Sequence, residues 1–176
     1  LNLDDLLAKQ EIADVIHRYA RGIDRMDFDL VRSCYHPDAY DDHGSMKGGV
    51  DEFIAGAREF LPKFVATMHF MGNMLIDLDG DVARAETYAV AYHREQLADG
   101  SGRDDIWGIR YVDRFECRDG EWRIAHRVAV TEWTNSSETC RIAFRTSALV
   151  AGHPASAWMR CTSSGSAPQY AAMWGC

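Results

Sequence analysis

Three Asp-Gly turns, at 79–80, 99–100 and 119–120, divide residues 64–133 into four long segments. The segments are Phe64–Leu78, Val82–Leu97, Asp104–Cys117 and Glu121–Trp133. Successive side chains of a strand point to opposite faces, and an Asp-Gly turn reverses the chain within two residues. The series therefore predicts an antiparallel meander. In the second segment Ala83, Ala85, Ala89 and Ala91 share one face, small enough for helices to lie close, while Tyr88 and Tyr92 share the other. The chain before the meander is helical in pattern. Leu3, Leu6, Leu7, Ala13, Ile16, Ala20 and Ile23 recur at three- and four-residue steps, and Gly22 and Asp24 close that helix. Asp27 is an N-cap for a second, shorter helix bearing Phe28, Val31, Cys34 and Tyr35, which ends at His36-Pro37. A third runs from Val50 to about Leu61, with Asp51 and Glu52 near its positive end and Pro62 stopping it. The fold class is α+β, with three N-terminal helices packed on a curled, mainly antiparallel sheet.

Composition narrows the function. At 176 residues, with 47% hydrophobic and 26% charged residues, the chain can bury one substantial core. Nineteen Lys and Arg against 27 Asp and Glu leave a net charge of −8, the wrong sign for a nucleic-acid or anionic-membrane partner. Apolar runs are short and the first residues lack a signal-peptide pattern, so a cytoplasmic protein is expected. The five cysteines are irregularly spaced with no C-x-x-C pair, which argues for scattered reduced thiols. Beyond Thr134 the charged residues are Glu138, Arg141, Arg145 and Arg160 alone. Residues 1–134 are accordingly taken as the domain and 135–176 as a C-terminal extension.

Three stretches, "EIADVIHRYARGIDRMD", "ATMHFMGN" and "RDGEWRIAHRVAVTEW", resemble the SnoaL-like branch of the nuclear transport factor 2-like superfamily. The likeness covers roughly residues 5–134 and is nearest to its dehydratase–dehydrochlorinase members: hexachlorocyclohexane dehydrochlorinase, scytalone dehydratase and bile-acid 7α-dehydratase. It implies a cone-shaped α+β barrel around a pocket, no cofactor, no metal, and a homotrimer. In those lyases a histidine at the start of the first long strand is the general base, and an aspartate after the first helix orients it. By resemblance these roles fall on His69 and Asp24. The tyrosine of the bile-acid enzyme falls on Tyr19, where the dehydrochlorinase has a lysine, and an arginine of the dehydrochlorinase falls on Arg127.

The residue types suit that chemistry independently. Histidine titrates near neutrality, and a carboxylate on one ring nitrogen fixes the tautomer that leaves the other basic. Tyr19 lies little more than one helical turn before Asp24, so the two side chains can converge. Alternation places Arg127 on a strand face with Arg123, Ala125 and Ala129, where an inward guanidinium would suit an oxyanion. His36, Asp38, Asp41, Asp42 and His43 resemble a metal cluster by type, but they surround a proline without helical spacing and read as a solvated loop. His17 and His126 read as structural. Met26, Met68, Met71, Met74, Phe70, Trp107 and Tyr111 are expected around an apolar pocket. The function expected is a cofactor-independent lyase of dehydratase type, abstracting a carbon-bound proton from a hydrophobic cyclic small molecule. The alternatives are a ketosteroid-isomerase-like double-bond isomerase, a polyketide cyclase, a non-catalytic binding module and an oxygenase small subunit.

Overall fold

The computed structural model describes residues 2–139. The residues 140–176 of the C-terminal extension, with Cys140, Cys161 and Cys176, lie outside the described residues. Helix α1 (Leu3–Arg25) begins at a capping box, in which Asn2 accepts from the Asp5 N–H and Asp5 accepts from the Asn2 N–H. It buries Ile12, Val15, Ile16, Tyr19, Ala20 and Ile23; of the expected series only Ile16, Ala20 and Ile23 are buried, Ala13 is half-buried, and Leu3, Leu6 and Leu7 near the start of the helix are exposed. The helix continues through Gly22 and Asp24 and stops at Met26 in the left-handed conformation (φ 53°). Gly22 serves packing instead of termination: a Cβ there would lie 2.7 Å from Val31 Cγ2. Helix α2 (Phe28–Ser33) starts at Asp27, whose carboxylate accepts from the Leu30 N–H.

The second helix stops at Ser33, short of the expected His36-Pro37, and Tyr35 together with the segment read as a solvated loop forms a strand, β1 (Tyr35–His43), followed by the short β2 (Met46–Gly49). Tyr35, Ala39 and Asp41 alternate inward along β1, while Pro37, Asp38 and Tyr40 face out. Pro37 sits where the β1 register slips between Tyr35 and Tyr40, so its missing N–H costs no regular ladder bond. Helix α3 (Val50–Phe60) runs into a 3₁₀ turn (Leu61–Lys63) that contains Pro62.

The meander then follows as β3 (Ala66–Asp79), β4 (Val82–Gln96), β5 (Gly102–Arg118) and β6 (Glu121–Thr139). The last strand runs five residues past Thr134. The six strands form one curved, open sheet in the order β2-β1-β6-β5-β4-β3, antiparallel except where β1 lies parallel to β6. The helices cover its inner face, where Ala83, Ala85, Ala89 and Ala91 are buried in the core; Tyr88 points outward and is exposed. None of the described helices is long and apolar enough to cross a membrane.

A bulge in β6 corrects the expected partition of faces. Phe115 pairs with Ile124 but Arg114 pairs with His126, so Ala125 is an extra residue. Ile124 and Arg127 consequently both face the core, although simple alternation separates them. Arg127 therefore does not share a face with Arg123 in the way that uninterrupted alternation implies. Met68 and Phe70, expected at the pocket, lie on the outer face and are more than half exposed.

Candidate active site

Asp24 lies in the last turn of α1, where a negative charge faces the negative end of the helix dipole and needs donors from elsewhere. β3 supplies them. It is an edge strand of the sheet, and the His69 backbone N–H donates to both Asp24 oxygens, at 3.1 and 2.9 Å. The His69 ring contributes Nδ1, 2.8 Å from Asp24 Oδ1, and the Thr67 hydroxyl donates to the Asp24 carbonyl at 3.3 Å. Burial pushes the Asp24 pKa up, but the His69 ring and backbone bonds outweigh it and hold the carboxyl below its usual range. With Nδ1–H donating to the carboxylate, Nε2 is the ring nitrogen left to accept a proton.

His69 lines an inner chamber of about 50 Å³ with Tyr19, Ile23, His43, Phe53, His93 and Tyr111. An outer recess of about 300 Å³ adjoins it, and His43, Met46, Phe60, Trp107 and Ile109 belong to the walls of both. The recess is at the lower end of small-molecule sites, about 300–1,000 Å³, whereas the inner chamber alone holds little more than a water molecule or two. Larger depressions on the surface, beside Arg18 and Trp122 and over Tyr88 and Trp133, contain no histidine–carboxylate pair.

The structure brings Tyr19 to this chamber, but it does not converge on Asp24. The Tyr19 hydroxyl is 3.2 Å from His43 Nε2, and His43 Nδ1 bonds closely to Asp41. Asp41 also accepts from the Tyr35 hydroxyl at 2.7 Å and is fully buried. Two of the five residues assigned to a solvated loop thus form a second histidine–aspartate pair. The signal available in sequence was the odd-numbered series Tyr35, Ala39, Asp41 and His43, obscured by Pro37 and by the polarity of the inward residues. Of the others, His36 is buried with Nε2 2.9 Å from the Glu116 carbonyl, and Asp38 is exposed and pairs with Arg118.

Arg127 is fully buried and makes a two-fold pair with Asp113, Nε to Oδ1 at 2.8 Å and Nη2 to Oδ2 at 2.6 Å. Its guanidinium lies 4.2 Å from the Tyr19 ring centre and 4.4 Å from that of Tyr111. It is not among the residues lining the chamber; it stands behind the two tyrosines. Burial drives the Tyr19 pKa well above its ordinary value, with Tyr111 adding to the rise and Arg127 opposing it, so the hydroxyl keeps its proton. His126 stacks on Tyr40 and His17 is exposed, both away from the chamber.

Sequence reasoning passed over His93. It lines the chamber, edge-on to His69 with ring centres 5.5 Å apart, and its Nδ1 is buried without a hydrogen-bond partner among the described residues. Burial and the neighbouring His69 lower its pKa to about 4, so the ring is neutral around pH 7. Among the described residues no group of three or more His, Cys, Asp or Glu side chains is arranged to hold a metal.

Comparison with known proteins supports the architecture. An uncharacterised protein of Mycobacterium tuberculosis is 26% identical over 132 residues, covering 73% of this chain and 88% of its own. Among solved structures, a type 2 hexachlorocyclohexane dehydrochlorinase superposes with a TM-score of 0.72 at 19% identity, covering 82% of this chain and 98% of the other. A scytalone dehydratase-like protein of Novosphingobium aromaticivorans gives 0.67 at 20% identity, covering 74% and 88%. These likenesses establish the cone-shaped α+β fold. The model of the SnoaL-like domain matches residues 4–128, most of the described structure, and the chain belongs to that family.

Proposed function

We propose that the protein is a cofactor-independent lyase that eliminates water from a hydrophobic cyclic small molecule. The observation that carries this reading is the Asp24–His69 contact of 2.8 Å on the wall of a small, largely apolar chamber. His69 Nε2 removes a proton from carbon, one acidified by a neighbouring carbonyl, while Asp24 holds the ring and stabilises the imidazolium as it forms. Tyr19, protonated at working pH, donates to the departing hydroxyl or to the enolate oxygen. Arg127 acts behind it as a positioning residue, fixing the Tyr19 and Tyr111 rings. Neutral His93 offers a further hydrogen-bond partner to a polar substrate group. The dehydratase and dehydrochlorinase names of the structural relatives agree with elimination.

The substrate's reacting part must pass the wall formed by Met46, Phe60 and Trp107 into the inner chamber. The homotrimer expected by resemblance has a ready surface, because Phe70, Leu75, Tyr88 and Trp133 expose apolar area on the outer face of the sheet.

The test is a panel of cyclic β-hydroxy ketones, followed by ultraviolet absorbance of the conjugated enone. The wild-type chain is expected to dehydrate at least one, and His69→Ala and Asp24→Asn to lose that activity. Equal rates in wild type and His69→Ala would end the proposal. Exchange of the substrate's carbon-bound hydrogen with deuterated solvent, without loss of water, would instead assign a double-bond isomerase.

A further inference from the structure

The second histidine–aspartate pair has a geometry that a structural pair does not need. Strand register sets Asp41 of β1 and Asp113 of β5 on either side of Arg127 of β6, one row across the inner face. All three are buried, at 0%, 3% and 0% exposure. Arg127 gives both of its bonds to Asp113. Asp41 is left with the Tyr35 hydroxyl and the His43 ring, neither of which is a permanent cation. A buried carboxylate wants a counter-charge, and the His43 ring, bonded to Asp41 through Nδ1, is the group placed to carry one. Around His43 stand Tyr19 from α1, Met46 from β2, Phe53 from α3 and Tyr111 from β5, with Asp41 and Asp42 on its own strand; His69 and His93 line the same chamber, and Glu59 and Lys63 the same recess. Asp42 is itself paired with Lys47, and Arg127 lies on the far side of Tyr19 and Tyr111. His43 Nε2 has a single hydrogen-bond partner among the described residues, the Tyr19 hydroxyl.

We propose that Asp41, His43 and Tyr19 form a proton relay that ends at the oxygen of the bound substrate. The relay rests on the elimination reading for the identity of its acceptor. His69 Nε2 takes the carbon-bound proton, and the released electron pair becomes the new double bond as the carbon–oxygen bond breaks. The departing oxygen takes the Tyr19 proton, and the Tyr19 oxygen takes the Nε2 proton of the His43 imidazolium. Asp41 holds the Nδ1 proton throughout. Water leaves, His69 returns its proton to solvent, and His43 regains one. The relay removes the need for a free tyrosinate, which burial makes unfavourable at this position.

The decisive experiment is nitrogen NMR of the full-length protein labelled in its histidine rings, titrated over about pH 5–8. The His43 signals are assigned by their loss in His43→Gln. The relay requires Nδ1 to stay protonated and Nε2 to gain a proton within that range. It also requires Tyr19→Phe and Asp41→Asn to shift the titration of His43 but not that of His69. A His43 ring that never takes the second proton, or ignores both substitutions, overturns the relay. With a substrate from the panel, Tyr19→Phe and His43→Gln should each lower kcat about 100-fold. The double variant should be no slower than either single one. His43→Gln should also lose the alkaline fall of the kcat–pH profile. If wild type turns over and His43→Gln keeps both rate and profile, the relay fails while elimination stands. If nothing in the panel turns over, elimination fails, and the NMR titration still decides the relay.

Discussion

The chamber holds two histidine–aspartate pairs that share a local bond and differ in everything around it. In both, a carboxylate meets Nδ1 of the ring. Asp24 and His69 come from elements 45 residues apart, a helix end and an edge strand, and the His69 backbone completes the carboxylate's bonding. Asp41 and His43 are two residues apart on one strand, and a tyrosine closes the bonding instead. The larger difference is at Nε2. That of His69 has no hydrogen-bond partner among the described residues, while that of His43 meets Tyr19. A histidine with an open Nε2 can accept a proton from a ligand directly, and one capped by a hydroxyl can act only through it. The two pairs thus differ in the third group in line, and with it in what each ring nitrogen can reach.

The largest expected effect separates the pairs by activity. His69→Ala should reduce kcat/KM by about 10²–10⁴-fold. Asp24→Asn should fall in the same range, because an amide no longer fixes the Nδ1–H tautomer. Asp41→Asn should cost less, since it acts through His43 and Tyr19; equal losses would erase the distinction between base and relay. The comparison is sharpened next through stability. Asp113→Ala strands the Arg127 charge behind the tyrosines and should cost about 3–5 kcal/mol in urea unfolding. His69→Ala, on the half-open pair, should cost clearly less.

Acid titration probes the His69 side of the chamber. The His93 pKa is about 4 when folded and about 6.5 when unfolded. The unfolded chain therefore binds a proton first as pH falls. The stability due to neutral His93 is complete above about pH 6.5 and is lost progressively down to about pH 4, by at most about 3 kcal/mol. The lowered carboxyl of Asp24 adds a further loss at more acid pH, below its ordinary range near 3.8. His93→Phe should flatten the upper part of the curve in a pH series of thermal melts. An unchanged slope would show that His93 does not remain neutral. The smallest effect expected is that of Gly22→Ala, about 1–3 kcal/mol of overpacking against Val31, offset in part by about 1 kcal/mol of helix propensity. It displaces the α1–α2 contact two residues before Asp24. Circular dichroism melts should register it, together with a loosened His69 rather than a loosened His43.

Much of the fold was legible in local pattern. The Asp-Gly turns marked every hairpin of the meander, and the alanine face of β4 announced where helices would lie. The Asn2, Asp27 and Pro62 boundaries also follow rules that operate within a few residues. What escaped was non-local. β1 pairs in parallel with β6, nearly ninety residues away in sequence, and its inward Tyr35, Asp41 and His43 are polar groups that bond to one another. A periodicity based on hydrophobicity cannot register a strand whose buried face ends in Asp41 and His43. The β6 bulge likewise leaves no mark in composition, yet it turns Arg127 from the Arg123 side of the strand into the core.

The sequence by itself determined the three helices and the four-stranded meander after them, the α+β class, the resemblance to SnoaL-like domains and the residues Asp24 and His69 as a candidate pair. Each of these depends on short-range propensities or on a run of residues that can be read in line. The tertiary structure alone decided that Asp41 and His43 face inward, that Tyr19 belongs to them instead of to Asp24, and that Arg127 stands behind the tyrosines. Those outcomes depend on strand register. A shift of one residue exchanges the two faces of a strand, and register is settled by partners distant in the chain.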